Sequence, residues 1–124
     1  MSGMSDYLVT KLIDHVLRNT AYTKPWPVYL GLFTVQPGDD GTGGTEVVGG
    51  SYARKTITFG ADSGGVTFNT AALTFDVPAC TIVAGGIFDA VSGVNMLFNA
   101  RFTQPRTVLA GTFSIQVGDV VVQL

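Results

Sequence analysis

Two side chains with the reach for nucleophilic or metal chemistry, His15 and Cys80, occur once each in this chain. One imidazole and one thiol far apart in sequence do not make a zinc site of ordinary composition. A Ser-His-Asp arrangement would have to use His15, and no G-x-S-x-G elbow supplies its serine. Adjacent carboxylates occur only at Asp39 and Asp40, inside Pro37-Gly-Asp-Asp-Gly-Thr-Gly-Gly44. That run reads as a flexible turn, not as the alternating acidic ladder of a calcium loop. The other acids, Asp6, Asp14, Glu46, Asp62, Asp76, Asp89 and Asp119, fall mostly in turns or at strand ends. There Asp side chains satisfy local backbone groups, so no pair is set for glycoside hydrolysis. The expectation is no catalytic residue, no metal ligand and no cofactor.

The elements that would position any such group are a helix and a series of strands. Val9, Leu12, Ile13, Val16 and Leu17 recur at helical spacing, with Lys11, Asp14, His15 and Arg18 on the remainder. Ser5 is placed to cap this helix and Asp6 to sit in its first turn. Asn19 and Thr20 end the pattern, and Pro25 and Pro27 forbid its continuation. His15 thus lies on a polar helix face, where a solvent or interface position is its plainest reading.

After Pro27 everything reads as strand and turn. Val28–Val35 is a nearly continuous apolar run, expected to be buried on both faces. Residues 36–51 form a long loop rich in Gly, Asp and Thr. Further strand signals fall at 52–59, 66–69, 73–77, 81–89, 95–102, 112–117 and 120–124. The stretch Thr42–Phe59 combines dense glycine with a Tyr52-Ala53-Arg54 triplet and then alternation. A phosphate cradle needs a helix N-terminus behind its glycines, and here a strand follows instead.

Short strands about 8–12 residues apart with no helical crossover predict an all-β protein. The fold expected is an antiparallel sandwich or barrel of jelly-roll type over 27–124, preceded by one N-terminal amphipathic helix within 1–20. The whole of 1–124 is expected to form a single domain. Composition agrees: 46% of residues are hydrophobic, with eight Phe, four Tyr and one Trp, enough for a core.

Only 13% of residues are charged, against about 25% in ordinary soluble domains. Such a surface protects poorly against association, which points to burial in an oligomer or larger assembly. The net charge of −2 and the scatter of Lys11, Arg18, Lys24, Arg54, Lys55, Arg101 and Arg106 give no footprint for nucleic acid. No apolar run approaches the roughly 18 residues of a membrane span, and the N-terminus lacks the pattern of a signal peptide. Cys80, beside Pro78, Ala79, Ile82 and Val83, reads as a buried inert thiol. Arg54 reads as a solvent-facing strand residue, the sharper alternative being an intersubunit ion pair with Glu46 or Asp89. Trp26, held between two prolines, reads as a core hinge, or else as an exposed binding aromatic.

Several of these runs carry a resemblance. Pro27-Val-Tyr-Leu-Gly-Leu-Phe-Thr34, Gly43-Gly-Thr-Glu-Val47, Gly49-Gly-Ser-Tyr-Ala-Arg54 and Thr58-Phe59 follow one another as in a family of small tailed-bacteriophage virion proteins. So do Asn69-Thr-Ala71, Gly86-Ile-Phe-Asp-Ala90, Ser92-Gly93, Leu97-Phe98 and the Ala110-Gly-Thr-Phe113 tail. The chain has Val94-Asn95 where the family often shows Gly-Asn. The resemblance implies a virion structural protein, assembled in a host cytoplasm, without catalytic residues. Within it, the expected role is capsid cement: a homotrimer bridging major capsid protein or other virion subunits. The alternative is a tail-fibre or tail-tip component that binds receptor or glycan, where Trp26, Tyr22 or Tyr52 beside turn carboxylates would stack on a sugar. The interface is expected at Val9, Leu12, Ile13, Val16, Trp26, Glu46, Tyr52 and Arg54.

Overall fold

The structure is a computed structural model that describes residues 2–93 and 95–123. Val94, in the turn noted above, and Leu124, at the end of the last strand signal, lie outside the described residues.

One helix, α1 (Asp6–Leu17), accompanies the strands β1 (Ser2–Met4), β2 (Val28–Val35), β3 (Thr45–Glu46), β4 (Lys55–Ile57) and β5 (Val66–Phe68). The chain continues through β6 (Leu73–Val77), β7 (Cys80–Phe88), β8 (Met96–Val108), β9 (Gly111–Ile115) and β10 (Val121–Gln123). The described strand pairings are all antiparallel. The largest sheet runs β1-β8-β7-β2, and both β3 and β4 pair with the far edge of β2. Two ribbons, β6-β9 and β10-β5, complete the fold. The chain is thus a helix near the N-terminus followed by antiparallel β-sheets, as its alternation and turn spacing led one to expect.

Period-two alternation explains the packing. Leu30 and Leu32 of β2, with Ile82 and Ile87 of β7, form one wall of the main core. Phe75 and Val77 of β6 and Phe113 and Ile115 of β9 form the opposite wall. Phe75 faces Phe113 directly across the ribbon. On the other face of the sheet, Phe33, Ala84, Phe88 and Met96 make a second, smaller cluster, so β2 is buried on both faces through Leu30–Phe33. Val117, inside the 112–117 strand signal, falls past the end of β9 and is exposed.

Two strands, β1 and β3, lie outside the strand signals of the sequence. Ser2–Met4 precedes α1 and pairs with β8, Ser2 opposite Ala100 and Met4 opposite Phe98. Thr45–Glu46 lies inside the glycine-rich loop and pairs with Val35 and Phe33. That loop is tied to its own chain: Asp6 N–H donates to the Asp39 carbonyl at 2.7 Å, and Asn99 Nδ2 to Asp39 Oδ1 at 3.1 Å.

Ser5 caps α1 as expected, its Oγ accepting the Leu8 N–H at 3.2 Å. The same hydroxyl donates to the Met96 carbonyl and so fastens the helix start to β8. Ser5 is buried, so Ser5→Ala leaves both partners without it. The expected loss is about 1–2 kcal/mol of stability, read from urea unfolding.

Candidate functional site

The helix turns two different surfaces outward and inward. Leu8 is its buried residue, and Leu12 packs partly against the core. At about 100° per residue, Val16, Val9, Ile13 and Leu17 follow round the helix from Leu12. They are 71%, 38%, 48% and 75% exposed. The expected stripe is therefore split: Leu12 faces its own core and the rest faces out. Leu8 was missed because the run beginning at Val9 already satisfied the helical spacing. Between α1 and the inner sheet face lies an apolar cavity of about 470 Å³, walled by Leu8, Leu12, Tyr22, Phe59, Leu97 and Phe98. His15 is exposed, and its Nδ1 accepts the Tyr22 N–H at 3.1 Å.

Glu46, Tyr52 and Arg54 come together, and they do so within one chain. β2 is paired by β4 over Val28–Leu30 and by β3 at Phe33 and Val35. The Tyr52 hydroxyl fills the gap between them, accepting the Leu32 N–H at 2.8 Å and donating to Glu46 Oε2 at 2.7 Å. Arg54 holds the same carboxylate in a fork, Nε to Oε2 and Nη2 to Oε1, both at 2.9 Å. Its remaining donors reach the Ala90 and Gly93 carbonyls at 3.1 and 3.0 Å. The guanidinium lies 3.6 Å from the centre of the Phe88 ring, close enough for a cation–π contact. Gly31 beneath makes the approach feasible, since a Cβ there would stand 2.7 Å from Glu46 Oε2.

The reading of Arg54 as solvent-facing is corrected: its side chain is 8% exposed, because β3 and the loop after β7 close over it. Burial pushes the Tyr52 hydroxyl pKa well up, against the lowering effect of the Leu32 N–H. Tyr52 also stacks on Phe75, with ring centres 6.3 Å apart. Cys80 is a free thiol, partly buried, with its pKa raised by desolvation.

Trp26 is 77% exposed, which removes the core-hinge reading. It borders an open groove of about 490 Å³ formed with Tyr7, Lys11, Tyr22, Lys24 and Asp89. Asp39 is held by Asn99 from β8, and Asp40 is spent on its own turn. Asp40 Oδ1 takes the Thr42 N–H and hydroxyl at 2.9 and 2.8 Å, and these bonds lower its pKa. Among the described residues no three His, Cys, Asp or Glu side chains gather as a metal site would need.

An antiparallel framework whose Glu46–Tyr52–Arg54 network bonds its own strands and loops, and whose apolar and aromatic side chains are turned outward, fits a structural protein that neighbours join. The family model of the podophage GP4 fiber I protein, gp80, matches residues 3–123, and the chain belongs to that family. It is a phage virion component, a fibre protein, and as such associates with other virion proteins. The expectation of a capsid cement role is corrected by this membership, which favours the fibre alternative. A search of curated proteins finds no match to the chain.

Proposed function

We propose that the chain is a fibre subunit built into the tail by self-association, as a homotrimer, through the outward arc of α1. The observation that carries this reading is the exposure of Val9, Ile13, Val16 and Leu17 on a helix already seated by Leu8 and Leu12. A contiguous apolar face of this kind on a soluble chain marks a contact surface. The spacing selects the partner. Val9, Ile13 and Val16 are separated by four and then three residues, the alternation of a coiled-coil seam. β-Branched residues at both seam positions shift the preference away from two strands toward three or four, and three is the smallest such assembly. A twelve-residue helix is too short to associate by itself, so the β framework that fixes its orientation is part of the device. Three weak contacts made at once then act as one strong one.

Light scattering coupled to size exclusion tests this. The wild-type chain is expected at three times its monomer mass. Ile13→Asp, at an exposed site, is expected to run as a monomer with unchanged circular dichroism. A wild-type chain that stays monomeric through the micromolar range, or an Ile13→Asp chain of unchanged mass, would contradict the proposal.

A further inference from the structure

Trp26 stands apart from the apolar arc. Round α1, Tyr7 and Lys11 lie on the flank opposite Val9 and Ile13, and the groove beside Trp26 opens on that flank. Its composition differs from a protein contact. Charged side chains are depleted at the centre of protein interfaces, yet here Lys11, Lys24 and Asp89 line one groove with Trp26. An aromatic platform with a few placed polar groups is instead the pattern of a small-ligand site.

The groove is also preformed. Trp26 lies between Pro25 and Pro27, which restricts the backbone on both sides, and its N–H donates to the Lys24 carbonyl at 3.0 Å. The backbone under the indole then needs little ordering on binding. Asp89 Oδ2 takes a bond from Asn95 Nδ2 at 3.2 Å, and among the described residues its other oxygen has no hydrogen-bond donor. Neither lysine belongs to an ion pair among the described residues, and the Lys11 ammonium lies over the Tyr7 ring at 5.7 Å from its centre, at the groove's edge. The Tyr22 hydroxyl is buried beside Tyr7 and Asp89 without a hydrogen bond of good geometry. A buried hydroxyl in that state gains from any partner that a small shift would offer.

We propose that this groove binds an acidic hexopyranose unit of a cell-surface polysaccharide. The C–H face of the ring stacks on the Trp26 indole, ring hydroxyls donate to Asp89, and Lys11 and Lys24 meet the sugar's acid group. Two cations against one carboxylate set the preference for an acidic over a neutral sugar. The site does not depend on self-association, and a trimer would present it three times.

Trp26 is the only tryptophan in the chain, so intrinsic tryptophan fluorescence reads this groove alone. Titration of the full chain with oligogalacturonate is expected to give a saturable change in emission. Chitohexaose, a neutral oligosaccharide, is expected to give at least about tenfold weaker binding, a difference of about 1.4 kcal/mol. By calorimetry, Trp26→Ala abolishes oligogalacturonate binding without altering the melting curve, and Lys24→Ala weakens it several-fold. Ile13→Asp still binds, which separates this site from the trimer seam. No response to oligogalacturonate, equal binding of chitohexaose, or undiminished binding by Trp26→Ala would overturn the proposal. So would a blue shift that appears on raising protein concentration alone, because Trp26 would then be a protein contact.

Discussion

Asn69→Ala is expected to lower the unfolding free energy by about 2–4 kcal/mol, a large share of the roughly 5–15 kcal/mol typical of a domain. Asn69 is 1% exposed, and each polar atom of its side chain is used. Nδ2 donates to the Ala71 and Gln116 carbonyls, both at 3.0 Å, and Oδ1 accepts the Val120 N–H at 2.9 Å. Its backbone adds bonds to Val120 and Gly118. One residue thus holds the end of β5 to the turn that joins β9 and β10. Alanine leaves three side-chain partners short of a bond, and for the Val120 N–H this happens where burial keeps water away. Asn69→Asp separates donor from acceptor: it keeps an oxygen for Val120 but turns a carboxylate toward two carbonyls. The folded state then raises that carboxyl's pKa, so the unfolded chain binds fewer protons and stability falls as pH rises. Urea midpoints for Asn69→Asp should therefore increase between pH 7 and pH 4, relative to wild type.

Arg54→Ala carries the second large effect, also about 2–4 kcal/mol. Removing one partner of a buried ion pair costs about 3–5 kcal/mol, and the 26% exposure of Glu46 moves the value down. The substitution also removes the cover from Phe88 and releases the loop at Ala90 and Gly93. Arg54→Lys should recover little, because an ammonium cannot supply the fork or lie flat on the ring. A double-mutant cycle with Glu46→Ala should show coupling above about 1 kcal/mol, since the two side chains form one network. Additive losses would mean that Arg54 acts through Phe88 and the loop, not through Glu46.

Much of the architecture was legible because burial leaves a periodic trace. Val28–Val35 and Leu73–Val77 were placed with the bounds observed, the first by its apolar run and the second by alternation. β1 and β3 left no such trace: Ser-Gly-Met and Thr-Glu are too short to alternate, and their positions follow from partners far along the chain. The helix was evident but its seating was not. An apolar arc wider than the contact with the core has two candidate faces, and only packing decides that Leu8 turns inward. For the Arg54 network one signal was available. Gly31 interrupts an otherwise bulky apolar strand, and a glycine there marks a close approach by another group. The groove at Trp26 draws on α1, the Pro-rich segment and the loop after β7, a convergence that no local spacing reports.

Electron cryomicroscopy of the assembled particle tests the central claim most directly. The account predicts density for this chain in a tail fibre, in threefold sets, with Val9, Ile13 and Val16 of neighbouring copies packed on one another. Density on the head, or a fibre in which the outer arc of α1 faces solvent, would contradict it.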